Sequence, residues 1–159
     1  MGTLKDKVVI ITGSTQGIGK RVATEMAKLG AKIVINGRNK ERLTETRLMI
    51  ENLGYEVHAV QGDITSETDC KRLMNQTHER FGRIDVLINN ASLTMNEYLE
   101  NLSPEIYNRI FISNSIGATT PTLCALPFLK KSKGSVVFIS IASWMALSIR
   151  LTAGCIDFF

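Results

Sequence analysis

Thr12-Gly13-Ser14-Thr15-Gln16-Gly17-Ile18-Gly19 lies between a short apolar run, Val8–Thr12, and a stretch in which Ile18, Val22, Met26 and Leu29 recur at helical spacing. The order reads strand, glycine-rich turn, helix. A turn of this composition lets the backbone come close to a bound group. The helix behind it offers unpaired N–H groups and the positive end of its dipole. Phosphate is the anion such a turn suits, and the first βα unit is where a dinucleotide site requires it. A tight turn with no ligand is the alternative reading of the same residues.

The rest of the chain repeats this alternation. Val- and Ile-rich runs at Lys32–Asn36, Glu56–Val60, Val86–Asn89 and Ser135–Ser140 are separated by helix-length segments. Several are apolar on successive residues, as strands covered on both faces should be. The first helix stops at Gly30. A second spans roughly 40–53 before Gly54, and a third spans roughly 66–81 with Ser66 as its N-cap and Gly82 beyond it. A fourth begins near Pro104, with Ser103 capping; it contains Pro121 and Pro127, so a kink or break is expected at the prolines. Strand–helix units closing on a fifth strand predict an α/β chain with a parallel sheet and right-handed crossovers. With 159 residues, 44% apolar and 21% charged, a single domain over 1–159 with a substantial core is expected.

Composition argues against several functions. The net charge of +4 is spread over several helices, so no nucleic-acid partner is expected. The densest cluster, Lys130, Lys131 and Lys133, sits where a helix should end before Gly134, and cations there complement the helix dipole. Cys70, Cys124 and Cys155 fit no zinc spacing and predict reduced thiols, hence a cytoplasmic location. The apolar run behind Lys5-Asp6-Lys7 is too short for a signal peptide or a membrane span, so no membrane association is expected. His58 and His78 read as ordinary strand and helix-surface residues.

Several motifs together resemble the short-chain dehydrogenase/reductase family. Thr12–Gly19 matches its TGxxxGIG motif, and Asp63-Ile64-Thr65 is similar to its acidic residue after the third strand. Asn89-Asn90-Ala91-Ser92 resembles its NNAG motif, with serine replacing glycine, and Asn114 lies where the family carries a catalytic asparagine. The motifs follow the family's order from the first residues onward. The resemblance implies a Rossmann-type doubly wound parallel sheet of strand order 3-2-1-4-5. It also implies a nicotinamide dinucleotide held by Gly13, Ser14, Thr15, Gln16, Gly17, Ile18, Gly19, Arg38, Asp63, Ile64, Asn90, Ala91 and Ser92. Asp63 would accept from the adenine amino group, and the Ile64 N–H would bond a ring nitrogen. Asn90 would tie neighbouring strands together and touch the adenosine ribose. Asp63 also reads as a turn or cap aspartate, and Asn90 as a structural amide at the sheet end.

Cofactor choice is read at the end of the second strand. NAD-preferring members place Asp or Glu there to grip the ribose hydroxyls, and that carboxylate would repel a 2′-phosphate. Asn36-Gly37-Arg38-Asn39-Lys40 has no acid and two cations, and the planar guanidinium of Arg38 can pair with a phosphate. NADP(H) is therefore expected in preference to NAD(H). Arg38 as a solvated surface cation is the alternative.

The family's chemistry also needs a serine, a tyrosine and a lysine. The tyrosine moves a proton, the lysine lowers its pKa from about 10, and the serine bonds the substrate oxygen. Counting from Asn114 without gaps, these positions fall on Ile141, Gly154 and Phe158. Thr152-Ala153-Gly154-Cys155 is similar to the stretch around the family's tyrosine, which supports the register. Ser140 would reach the serine position by a one-residue slip. Relative to the family the chain is expected to be truncated, leaving Ser135–Ser140 as an apolar edge open to pairing. Three readings stand: an NADP(H)-dependent oxidoreductase for a small carbonyl or alcohol, with a homo-oligomer left open; a nucleotide-binding module without turnover; and a truncated or frame-shifted product.

Overall fold

The structure, a computed structural model, describes residues 4–93 and 103–139. Five strands, β1 (Val8–Ile11), β2 (Lys32–Gly37), β3 (Val57–Gln61), β4 (Val86–Asn89) and β5 (Ser135–Phe138), pair in the order β3-β2-β1-β4-β5. Every pairing is parallel, and Val9 of β1 lies between Ile33 of β2 and Val86 of β4. The chain winds outward from β1 to β3, then crosses back to β4 on the other side. That reversal opens a crevice beyond the carboxyl ends of β1 and β4.

Val8, Val9, Ile10 and Ile11 are all fully buried. Alternate side chains serve opposite faces of the sheet, the period of two expected of a strand. Val9 and Ile11 join the core under α1 (Gly17–Lys28) and α2 (Lys40–Asn52), with Ala23, Ala27, Leu43 and Ile50. Val8 and Ile10 join the core under α3 (Glu67–Phe81) and α5 (Gly117–Ser132), with Leu73, Met74, Ala125 and Leu129. The expected doubly wound α/β sheet and its strand order are therefore present. Helix starts follow the caps read from sequence. Ser66 Oγ accepts from the Asp69 N–H at 3.3 Å, and Ser103 Oγ from the Ile106 N–H at 3.3 Å.

Two expectations change. Ile18, Val22, Met26 and Leu29 carry the helical spacing of α1, yet Ile18 is 52% exposed, and the buried line is Gly19, Ala23 and Ala27. Small residues at spacing i, i+4, i+8 let the helix lie close on the sheet, while Val22 and Met26 pack along its rim. The second change concerns the long helix. α5 runs unbroken past Pro121 and Pro127. The interruption comes earlier, as a π-helical turn at Ile112–Ile116 between α4 (Pro104–Phe111) and α5. A π turn accommodates one extra residue, and here Asn114 sits at its centre. Among the described residues, no helix is long and apolar enough to cross a membrane.

Candidate functional site

The glycine-rich turn connects β1 to α1 above the crevice. Gly13 has φ +62°, and a Cβ there would lie 2.6 Å from Ala91 Cα. A Cβ on Gly19 would meet the Asn90 side-chain amide and lie 2.6 Å from the Gly13 carbonyl oxygen. The turn therefore fits only without side chains at these positions, because it packs backbone to backbone against the end of β4.

Polar bonds hold that packing. Thr12, fully buried, accepts from the N–H groups of Asn90 and Ala91 at 3.1 Å each through Oγ1. Asn90 Nδ2 donates to the Thr12 carbonyl at 2.9 Å and the Gly13 carbonyl at 3.2 Å. Asn36 Nδ2 likewise donates to the carbonyls of Val60 and Gly62 at 3.1 and 3.3 Å, tying the end of β2 to β3.

Around this frame lies a cavity of about 600 Å³, lined by the turn, the ends of β2 and β3, and residues 90–93. A small-molecule site is typically of this size. Gly13, Thr15, Gln16, Gly17, Ile18, Gly19, Arg38, Asp63, Ile64, Asn90, Ala91 and Ser92 all line it, so nearly all of the residues singled out in sequence are brought together. Among the residues expected to hold the dinucleotide, Ser14 is the exception. It is fully buried and turned inward, donating to the Ile11 carbonyl at 2.8 Å and accepting from the Asn36 N–H at 3.0 Å. Its contribution is to lock the turn onto β1 and β2.

The carboxylate of Asp63 is partly engaged within the chain. Its Oδ1 accepts from the Thr65 N–H at 2.9 Å and the Thr65 hydroxyl at 2.8 Å, an Asx-type turn, so the turn-aspartate reading describes this half. Its Oδ2 lies 3.8 Å from Arg38 Nη1. Asn114 is likewise engaged, through both ends of its amide, with the Leu93 backbone on the cavity wall.

Sequence reasoning missed Arg42, Arg109 and Ser113, which also line the cavity. Arg109 and Ser113 come from α4 and the π turn, and only the folded arrangement brings them here. Arg42 carried a signal, because Asn39 caps α2 by accepting from the Arg42 N–H at 2.8 Å. That cap places Arg42 in the first turn beside the end of β2. Ser140, Ile141, Gly154 and Phe158, the positions examined for serine, tyrosine and lysine, lie outside the described residues.

The arrangement suits an elongated anionic ligand. A helix N-terminus, a glycine-rich turn and the cations of Arg38, Arg42 and Arg109 face one cavity, and among the described residues lining it the acid is Asp63.

Comparison with known proteins places the chain among relatives. The family model described as short chain dehydrogenase matches residues 7–148. The 11-beta-hydroxysteroid dehydrogenase-like 2 protein of Arabidopsis thaliana is 40% identical over 139 residues, covering 86% of this chain and 45% of that protein. The 11-beta-hydroxysteroid dehydrogenase A of Sesamum indicum is 38% identical over 144 residues, covering 87% and 41%. The crystal structure of a short chain dehydrogenase from Mycobacterium smegmatis matches with a TM-score of 0.81 at 34% identity, covering 87% of this chain and 59% of that one. The chain spans about half the length of the curated relatives it matches.

Proposed function

This chain belongs to the short-chain dehydrogenase family, and from that premise we propose that it binds a nicotinamide dinucleotide, NADP(H) in preference to NAD(H), in the crevice beyond β1, β2 and β4. The observation that carries this reading is the cation-lined cavity over the glycine turn. The diphosphate would lie against the N-terminus of α1, where Gly13 and Gly19 leave room for backbone N–H groups to approach it. The adenine end would lie toward Asp63 and Ile64, with Asn90 against the adenosine ribose and Ala91 and Ser92 beside it on the cavity wall. Residues 36–40 supply no carboxylate to repel a 2′-phosphate, while Arg38 is 73% exposed and open to one.

When bound, the nicotinamide supplies hydride chemistry, and the whole protein would serve as an oxidoreductase for a small carbonyl or alcohol, assembled as a homo-oligomer in the cytoplasm. A second reading, a nucleotide-binding module without turnover, rests on the residues at three counted positions. Ile141, Gly154 and Phe158 stand where the family's serine, tyrosine and lysine are counted. Removing a general acid costs roughly 10²–10⁴ in rate.

One experiment tests both. NADPH titrated into the protein and followed by its fluorescence is expected to saturate, with NADH binding more weakly. NADPH oxidation is then followed with a panel of aldehydes and ketones. Turnover supports the oxidoreductase, saturation without turnover supports the binding module, and no saturation with either coenzyme removes both readings.

A further inference from the structure

We propose that Gln16 and Arg42 form a positioning pair that presents a second guanidinium, beside that of Arg38, to the 2′-phosphate; the inference rests on the NADP(H) reading. Gln16 sits at the N-cap of α1, but its side chain makes no cap bond. It instead reaches across the cavity mouth, where its Oε1 accepts from Arg42 Nη1 at 2.6 Å. The Arg42 backbone is fixed by the Asn39 cap, so the residue is held at both ends. Only one edge of the guanidinium is spent on Gln16. Its remaining N–H groups are left for phosphate oxygens, which a guanidinium can meet through parallel bonds.

The chemistry of the tether matters. Arg38 lies 3.8 Å from a carboxylate oxygen of Asp63, which offsets part of its charge. Gln16 is neutral, so it orients Arg42 without cancelling its charge. Gly37, next to Arg38, lines the same cavity, and a Cβ there would lie 2.5 Å from Thr15 Cγ2. Thr15 is held in turn, its carbonyl accepting from the buried Thr46 hydroxyl at 3.3 Å. No side chain, and hence no ribose-gripping carboxylate, fits at position 37 unless Thr15 moves. The ligand this corner fits is a phosphomonoester dianion on the edge of a ribose. Arg42 would touch it; Gln16 would act through Arg42.

The test uses the intact protein with NADPH, NADH and adenosine 2′-monophosphate as probes. Arg42→Ala is expected to raise the Kd for NADPH and for the monophosphate by about tenfold or more, one charge-assisted contact, leaving NADH within about twofold. Gln16→Ala is expected to give a smaller rise, about threefold, again for the phosphate-bearing probes alone. Because Gln16 works through Arg42, the double variant should match Arg42→Ala rather than the product of the single effects. Unchanged discrimination in Arg42→Ala overturns the inference while leaving the NADP(H) reading to Arg38. Multiplicative single effects overturn the pairing of Gln16 with Arg42. Equal losses for NADH and NADPH mark a merely structural role and overturn the inference as well. Wild-type protein that prefers NADH, or binds neither coenzyme, overturns both.

Discussion

Asn114 grips Leu93 through both ends of its side-chain amide: Oδ1 accepts from the Leu93 N–H at 2.8 Å, and Nδ2 donates to the Leu93 carbonyl at 3.1 Å. The contact joins the centre of the π turn to the segment after β4, which forms one wall of the cavity. Asn114→Ala leaves both Leu93 groups without this partner. The expected loss is about 1–3 kcal/mol of unfolding free energy, with weaker NADPH binding as the wall loosens. Asn114→Asp keeps the acceptor and loses the donor, so it should fall between the two. Urea midpoints at unchanged m-value measure the effect. An unshifted midpoint in Asn114→Ala would show that the bonds hold nothing in place.

The two left-handed glycines of the turn should respond differently to alanine. Gly17 has φ +53° and no atom within 4 Å of a built Cβ, so Gly17→Ala meets only the backbone penalty of about 1–2 kcal/mol. Gly13→Ala meets that penalty and also drives a methyl into Ala91 Cα, 2.6 Å away, forcing β1 and β4 apart at the site. A cost of about 3 kcal/mol or more is expected, together with loss of coenzyme binding. Thermal melts rank the two. Equal melting temperatures would mean that the turn can shift away from β4.

The strand order and the site's outline were legible because both rest on local signals: five apolar runs at regular spacing, and glycines placed where a strand hands over to a helix. The face that α1 buries was not. Hydropathy marks Ile18, Val22 and Met26, whereas closeness to the sheet selects Gly19, Ala23 and Ala27, whose virtue is small volume. A kink or break in the long helix is expected at Pro121 and Pro127; the helix continues through both, and a π turn lies earlier, around Asn114, whose partner Leu93 is distant in sequence. Ser14 belongs to the glycine motif yet faces Ile11 and Asn36, because neither motif membership nor spacing reveals which way a side chain turns. Arg42 was overlooked for the same reason, since its link to Gln16 joins two helix starts.

Asp85 predicts the acid stability of the fold. Its side chain is 3% exposed and accepts from the Val8 N–H at 3.0 Å, Arg83 Nε at 2.8 Å and Lys7 Nζ at 3.3 Å. Burial alone would raise its pKa; the Arg83 guanidinium, the Val8 amide and the Lys7 ammonium outweigh burial and hold the carboxyl below the ordinary aspartate range. A depressed folded pKa stabilises the fold in full above the unfolded value of about 3.9, and this contribution is lost as pH falls through the folded value. Asp85→Asn should therefore lower stability at pH 7 by about 1–3 kcal/mol, with Lys7 and Arg83 turning to solvent. The gap between variant and wild type should narrow below about pH 4. Urea titrations at both pH values measure it, and a gap of constant size would remove the carboxylate from the account.

Cys70 should be inert in the folded protein. It is 1% exposed, and its Sγ donates to the Ile64 carbonyl at 3.2 Å. Its pKa is pushed up to about 12, chiefly by burial and further by Cys124 and the carboxylates of Asp69, Asp63 and Glu67. At pH 8 the reactive thiolate is then about one part in ten thousand, against about a quarter for an ordinary cysteine. Alkylation followed by peptide mapping should find Cys70 unlabelled in native protein and labelled at the rate of a free thiol in denaturing urea. Because Ile64 lines the cavity, a bound dinucleotide should slow the residual native labelling further, by stabilising the closed form against local opening. Native labelling of Cys70 at the rate of a free thiol would mean that α3 does not stay packed over the sheet.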